Sequence, residues 1–216
     1  MKNKARNFIL FGVISPILYF GASFIGGSAN NGYSHIRDSV SDLLVKGSPR
    51  LLLLDIMMVL SFVIIMISTS AILMVHGKNL KKVTKVGIII IGLTGLFSFL
   101  SSIVFRLNPQ DTGMSLSSIM HISFVALSAI GTVVGGLLIG LSMKEVEGWK
   151  RFRLFTVISL LILLLGGVMA PLIVSLDMDI IGLVERLSIL AYHQWFVVLL
   201  VKFYKLDIGS KKIVIS

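Results

Sequence analysis

The sequence predicts an all-α integral membrane protein, a bundle of six transmembrane helices. Three observations carry this: the composition, six long apolar runs, and the placement of basic residues between those runs. Of the 216 residues, 56% are hydrophobic and only 14% are charged, with a mean hydropathy of +0.97. Soluble domains sit at roughly 45–50% apolar with about a quarter of residues charged. The chain is displaced toward lipid on both measures, and its length suits one domain covering residues 1–216.

A hydrocarbon core about 30 Å thick takes roughly 20 apolar residues of helix. Six runs meet that need: 8–24, 51–75, 86–107, 119–143, 154–176 and 181–204. Backbone polar groups find no partner in hydrocarbon, so each run is expected to be helical. Pro16 and Pro171 fall inside the first and fifth runs and predict kinks rather than helix ends. The first run follows basic residues and precedes Gly27, Ser28 and Ala29, as a cleaved signal does. Its apolar stretch is longer than a usual signal core, so it is read as a span.

Orientation follows from lysine and arginine. Lys2, Lys4 and Arg6 lie at the amino end, and Lys78, Lys81, Lys82 and Lys85 lie between the second and third runs. Lys144, Lys150, Arg151 and Arg153 lie between the fourth and fifth, and Lys202, Lys205, Lys211 and Lys212 lie at the carboxyl end. The other side has only Arg37, Lys46, Arg50 and Arg106, with Arg186 inside the sixth run. The positive-inside rule therefore places both termini in the cytoplasm of a cell whose plasma membrane holds the protein. A net charge of +10 distributed this way writes topology, so membrane lipid is the expected partner and nucleic acid is not. The chain has no cysteine, which excludes disulfides, thiolate nucleophiles and cysteine metal motifs.

Acidic residues and histidines collect on the opposite, extracytoplasmic side. The first outer connection contains Ile36, Val40, Leu43 and Leu44 on one helical face and His35, Asp38 and Asp42 on the other. That pattern predicts a short interfacial helix. A histidine and two aspartates on one face suit metal ligation or proton transfer, and equally suit a solvated helix face. The second outer connection, 106–113, is rich in turn residues and carries Asp111, with His121 ten residues on. Asp111 serves there as a cap or turn residue, or as a partner of His121.

The last run holds the costliest side chains. Glu185 and Arg186 lie about one turn inside it, and His193 with Gln194 lies two turns deeper. A charged group at helix centre costs at least about 2.5 kcal/mol on insertion scales, so these four are expected to face the bundle interior. Asp42 and Asp111 are the expected partners of Arg186. Two readings stand: a buried ion pair locking the helices, or a polar pocket descending toward His193. Gly131, Gly135, Gly136 and Gly140 form overlapping small-xxx-small pairs, expected to pack helices within the bundle rather than between molecules.

Several residues occur in an order that resembles the domain-of-unknown-function-998 family. They are Ser41-Asp42-Leu43 with Gly47 and Pro49, then Asn108-Pro109-Gln110-Asp111, His121, Gly182, Glu185-Arg186 and Trp195. The resemblance covers about 34–204. It implies a six-span prokaryotic membrane fold and a set of residues, without a reaction. Where the family pattern has an aromatic before the turn proline, this chain has Asn108, while Asp111 is retained.

Three classes of function fit these residues. One is a membrane-embedded enzyme or binding site for a lipid-like substrate, built from His35, Asp38, Asp42, Asp111, His121, Glu185 and Arg186. A divalent metal is a candidate cofactor there, although no His-x-x-x-His spacing supports it. The second is a non-catalytic membrane partner or assembly factor, in which the cluster is structural. The third is a small transporter using Arg186 and His193 as a relay.

Overall fold

Among the described residues, seven α-helices account for the six runs. The computed structural model describes residues 2–107 and 115–206. Helices α1 (Lys2–Phe11) and α2 (Ile14–Ala29) together make the first span. The rest are α3 (Leu51–His76), α4 (Lys82–Phe99), α5 (Leu116–Ser142), α6 (Lys150–Ser175) and α7 (Ile181–Lys205). Six segments are long and apolar enough to cross a membrane, and among the described residues there is no strand. Large apolar side chains are exposed along each of the six spans, Ile17 at 68% and Leu52 at 75% among them, an apolar surface too extensive for water and accounted for by lipid.

Both expected prolines behave differently from one another. The break between α1 and α2 falls at Gly12 and Val13, where Pro16 cannot donate to the Gly12 carbonyl and the chain tightens, with Ser15 N–H reaching Gly12 O at 3.1 Å. Gly12 is wedged there, since a Cβ would collide with Leu200 and come within 2.7 Å of Ser68 Oγ. Pro171, by contrast, sits within an unbroken α6.

An even number of crossings brings the termini to one end. Arg6 Nε donates to the Tyr204 carbonyl at 2.9 Å, its guanidinium lies 4.8 Å from the Tyr204 ring centre, and Trp149, Phe152 and Phe203 pack beside them. The glycines of α5 are used inside the molecule, as expected. Gly131 and Gly135 face α4, with Gly87 and Gly135 each placing a carbonyl within 2.9 Å of where the other's Cβ would stand. Gly136 and Gly140 face Leu160, Trp195 and Thr156. One small-residue helix thus packs tightly on both sides.

At the other end the first connection folds into the bundle. Val40, Leu43 and Leu44 are buried and join Ala22, Leu54, Met58 and Phe62 in an apolar cluster. This plug positions the polar residues described next.

Candidate functional site

The connection after α2 is a chain of turns rather than the expected helix over 34–44. Only Ser41–Leu44 is helical, as one 3₁₀ turn. Serine and aspartate side chains close the turns themselves, and so compete with helical hydrogen bonding. The Asp38 carboxylate accepts from Ser34 N–H at 2.7 Å and from Arg37 Nε at 2.8 Å. Asp42 accepts from Ser39 N–H at 2.8 Å, while Ser39 Oγ accepts from Asp42 N–H at 3.3 Å. Ile36 is 55% exposed and does not share the buried face of Val40, Leu43 and Leu44. His35, Asp38 and Asp42 consequently share no face either: the His35 ring packs against Phe24 and Tyr33 and over Gly27, where a Cβ would be 2.6 Å away.

The start of α7 satisfies the backbone of these turns. Leu183 N–H, one of the free donors of a helix first turn, donates to Ile36 O at 2.9 Å. The Glu185 carboxylate accepts from Val40 N–H at 2.7 Å. Arg186 Nη1 donates to three carbonyls, His35 at 2.9 Å, Asp38 at 3.0 Å and Gly182 at 2.9 Å. Its Nη2 donates to Tyr33 Oη and, at 3.4 Å, to Ser23 Oγ. The expected partnership of Arg186 with Asp42 is therefore corrected: carbonyl oxygens and a phenol hold the guanidinium. Five donors on a planar fork can serve several carbonyls at once, which a carboxylate pair would forgo. Gly182 makes this approach feasible, because any Cβ would strike the Asp38 carbonyl.

Electrostatics follow from the same contacts. Burial pushes the Tyr33 hydroxyl up to about 12, against the opposing pull of Arg186. Tyr33 is thus a neutral phenol that accepts from Arg186 and donates to the Ser39 carbonyl at 2.7 Å. Arg37 holds the Asp38 carboxyl below its usual range. Desolvation, and then the charge of Arg186, lower the His35 imidazole, whose Nδ1 is buried with no hydrogen-bond partner among the described residues.

His121 stands apart from this junction. Its Nδ1 lies 2.8 Å from Ser101 O and 3.1 Å from Phe105 O, so that nitrogen carries the proton and donates to carbonyls. Those carbonyls come from the π turn Leu100–Val104 and the residue beyond it, where the wider turn leaves acceptors without their ordinary helical donors. Arg106 joins the two connections: Nη2 meets Asp55 at 2.7 Å and Nη1 donates to Leu44 O at 2.9 Å. Asp111 and the rest of the 108–113 turn lie outside the described residues. Sequence reasoning did not single out Tyr33, Ser23 or the Asp55–Arg106 pair. The last had a signal, an acid one turn into the second span and a base at the same end of the third.

The two deep polar residues of α7 part company. His193 is 3% exposed, ringed by Tyr19, Phe20 and Tyr192 at centroid distances of 5.2, 5.7 and 5.1 Å, with Nδ1 unpartnered among the described residues. Gln194 was expected in the interior and instead faces outward, exposed. Adjacent helix positions diverge by about 100°, and the bundle takes the histidine.

Beside this junction lies a shallow polar depression of about 250 Å³ lined by Asn30, Asn31, Gly32, Tyr33, Asp38 and Asp42. Among the described residues no three His, Asp or Glu side chains form a metal-binding set. The arrangement can bind through hydrogen bonds and weak acid charge, and it can hold the first connection against the bundle. Fold and polar cap together define a multi-pass membrane protein of six spans. The chain belongs to the family described as Protein of unknown function (DUF998), which it matches over residues 13–202. No curated protein and no solved structure matches it.

Proposed function

We propose that the chain is a non-catalytic membrane component, a partner or assembly factor of the plasma membrane with both termini cytoplasmic. The polar end is then an extracytoplasmic cap on six helices that sit among membrane lipid. The observation that carries this reading is where the candidate catalytic groups spend their hydrogen bonds. Arg186, Glu185 and the Nδ1 of His121 are all engaged with backbone groups of their own chain. Catalytic acids, bases and oxyanion donors turn their bonds toward a reacting atom, and the bonds these groups make here go to the fold of their own chain. Backbone that leaves helical form near lipid must find partners within the protein, and the cap supplies them.

Complementation of a deletion strain, scored beside the protein level in the membrane, tests the reading. His35→Gln and Asp42→Asn remove titratable groups without breaking the junction, and both retain complementation. Loss of complementation at unchanged protein level assigns those groups a chemical role and overturns it. The depression lined by Asp38, Asp42 and Tyr33 favours a second reading, a binding site for a lipid-like molecule with a cationic headgroup. Binding of a choline or ethanolamine headgroup lipid that is lost in the Asp38→Asn, Asp42→Asn double variant would establish it.

A further inference from the structure

The outward face of α7 carries one polar side chain at the helix midpoint. α7 spans Ile181–Lys205, so Gln194 sits at its centre, where a membrane is driest. It is exposed and makes no hydrogen bond among the described residues. A free carboxamide facing acyl chains is costly, because nothing there replaces water. Nor can it turn inward, since the neighbouring His193 already occupies the interior against Phe20 and fixes the rotation of the helix.

The residues around it form a pattern. Leu183, Leu187, Leu190, Gln194, Val197 and Val201 alternate spacings of four and three, a heptad seam whose single polar member is the glutamine. None of them is buried: the three leucines are 42%, 49% and 49% exposed, Gln194 is exposed and the two valines are partly so. The seam runs between the contacts α7 makes with α2, through His193, and with α6, where Ser188 meets Gly166. Within the described residues the three leucines and Gln194 of this seam are left exposed.

We infer that this seam binds a second copy of the same chain, with Gln194 paired to Gln194 across a two-fold axis normal to the membrane. A carboxamide carries both donor and acceptor, so two identical ones satisfy each other reciprocally. Copies inserted with the same topology place identical residues at equal depth, as an isologous contact requires. The leucines and valines interdigitate above and below at the shallow crossing of a left-handed pair. A single polar residue in such a seam fixes register and copy number. The inference is independent of the reading of the polar cap, which lies at one end of α7 while this contact is centred on its middle.

The native chain has no cysteine, so single cysteines report cleanly on full-length protein in its membrane. Leu187→Cys and Leu190→Cys give a disulfide-linked dimer on oxidation. Val63→Cys on α3 and Leu93→Cys on α4, exposed to similar degrees, do not. In vesicles of phosphatidylethanolamine and phosphatidylglycerol, energy transfer between labelled copies is diluted with added lipid. Gln194→Leu weakens association about tenfold at unchanged thermal stability, and Gln194→Asn restores most of it. Three results overturn the inference: all four cysteines crosslink alike, Gln194→Leu associates as the native chain does, or α7 cysteines crosslink to a different protein with no self-linked product.

Discussion

Arg186 and Asp38 meet through the backbone carbonyl of Asp38, at 3.0 Å, and not through its carboxylate. That carboxylate is turned to Arg37 at 2.8 Å. The partly buried cation is thus neutralised by peptide dipoles, and the Asp38 carboxylate is spent on another base. The consequence is a division of labour: Arg186 holds the fold of the connection, while Asp38 and Arg37 shape its surface.

Removing Arg186 therefore destabilises the junction far more than removing Asp38. Arg186→Met leaves the His35 carbonyl and the Tyr33 oxygen without their donor and leaves the Asp38 carbonyl to Tyr33 alone, costing about 3 kcal/mol or more. Arg186→Lys recovers only part, because an ammonium lacks the planar fork. Asp38→Asn leaves stability near the native value, as expected for an exposed ion pair. Thermal unfolding in nanodiscs separates the two, and equal losses for Arg186→Met and Asp38→Asn would refute the division.

Gly182→Ala tests the same junction from the other side. Its Cβ has no space beside the Asp38 carbonyl, so the turn must shift away from Arg186, at about 1–3 kcal/mol. Gly167→Ala on α6, where a Cβ would meet nothing within 4 Å, is the matched control and causes no loss of stability. A native-like Gly182→Ala would show that the connection is not pressed onto α7.

Much of this was legible beforehand, and the rest failed for physical reasons. Six spans, the internal use of the α5 glycines and the engagement of Glu185 and Arg186 within the protein follow from hydropathy, residue size and the cost of charge in lipid. The partners of Arg186 did not, since backbone carbonyls have no letter in the sequence. The helix expected over 34–44 failed because Ser39, Asp38 and Asp42 bond to nearby N–H groups. Gln194 was misplaced because the cost of a polar group in lipid applies to His193 and Gln194 alike, whereas adjacent helix positions diverge by about 100° and only one of the two faces the bundle.

Asp55→Asn probes the tie between the two connections. The Asp55–Arg106 contact, 2.7 Å with side chains 22% and 15% exposed, is sheltered enough to matter. Losing the charge costs about 1–2 kcal/mol, with Arg106 still held by Leu44 O. A double-mutant cycle with Arg106→Gln gives a coupling of about 1 kcal/mol. Strict additivity would reduce the pair to a surface contact.

Acidification loosens the junction through His35. Desolvation and Arg186 lower its imidazole in the folded chain, so the unfolded chain binds the proton more readily. Stability from this group is complete above the unfolded value of about 6.5 and is lost as pH falls below it. Asp38, also lowered, adds a second loss in the same direction below about pH 4. Between pH 8 and pH 5 the unfolding temperature falls less for His35→Gln than for the native chain. A parallel fall in both would place the titrating group elsewhere.

The proposed orientation is open to direct measurement because every introduced cysteine is the only one. In intact cells a membrane-impermeant maleimide labels Ser48→Cys, which lies in the partly exposed connection after α2. It does not label Lys78→Cys, between α3 and α4, until the membrane is opened. The reverse pattern would put the polar cap in the cytoplasm, where a basic amino end at the far side would contradict the distribution of lysine and arginine. The two sites lie at opposite ends of α3, so labelling of both in intact cells would contradict a spanning α3 and with it the six-span arrangement.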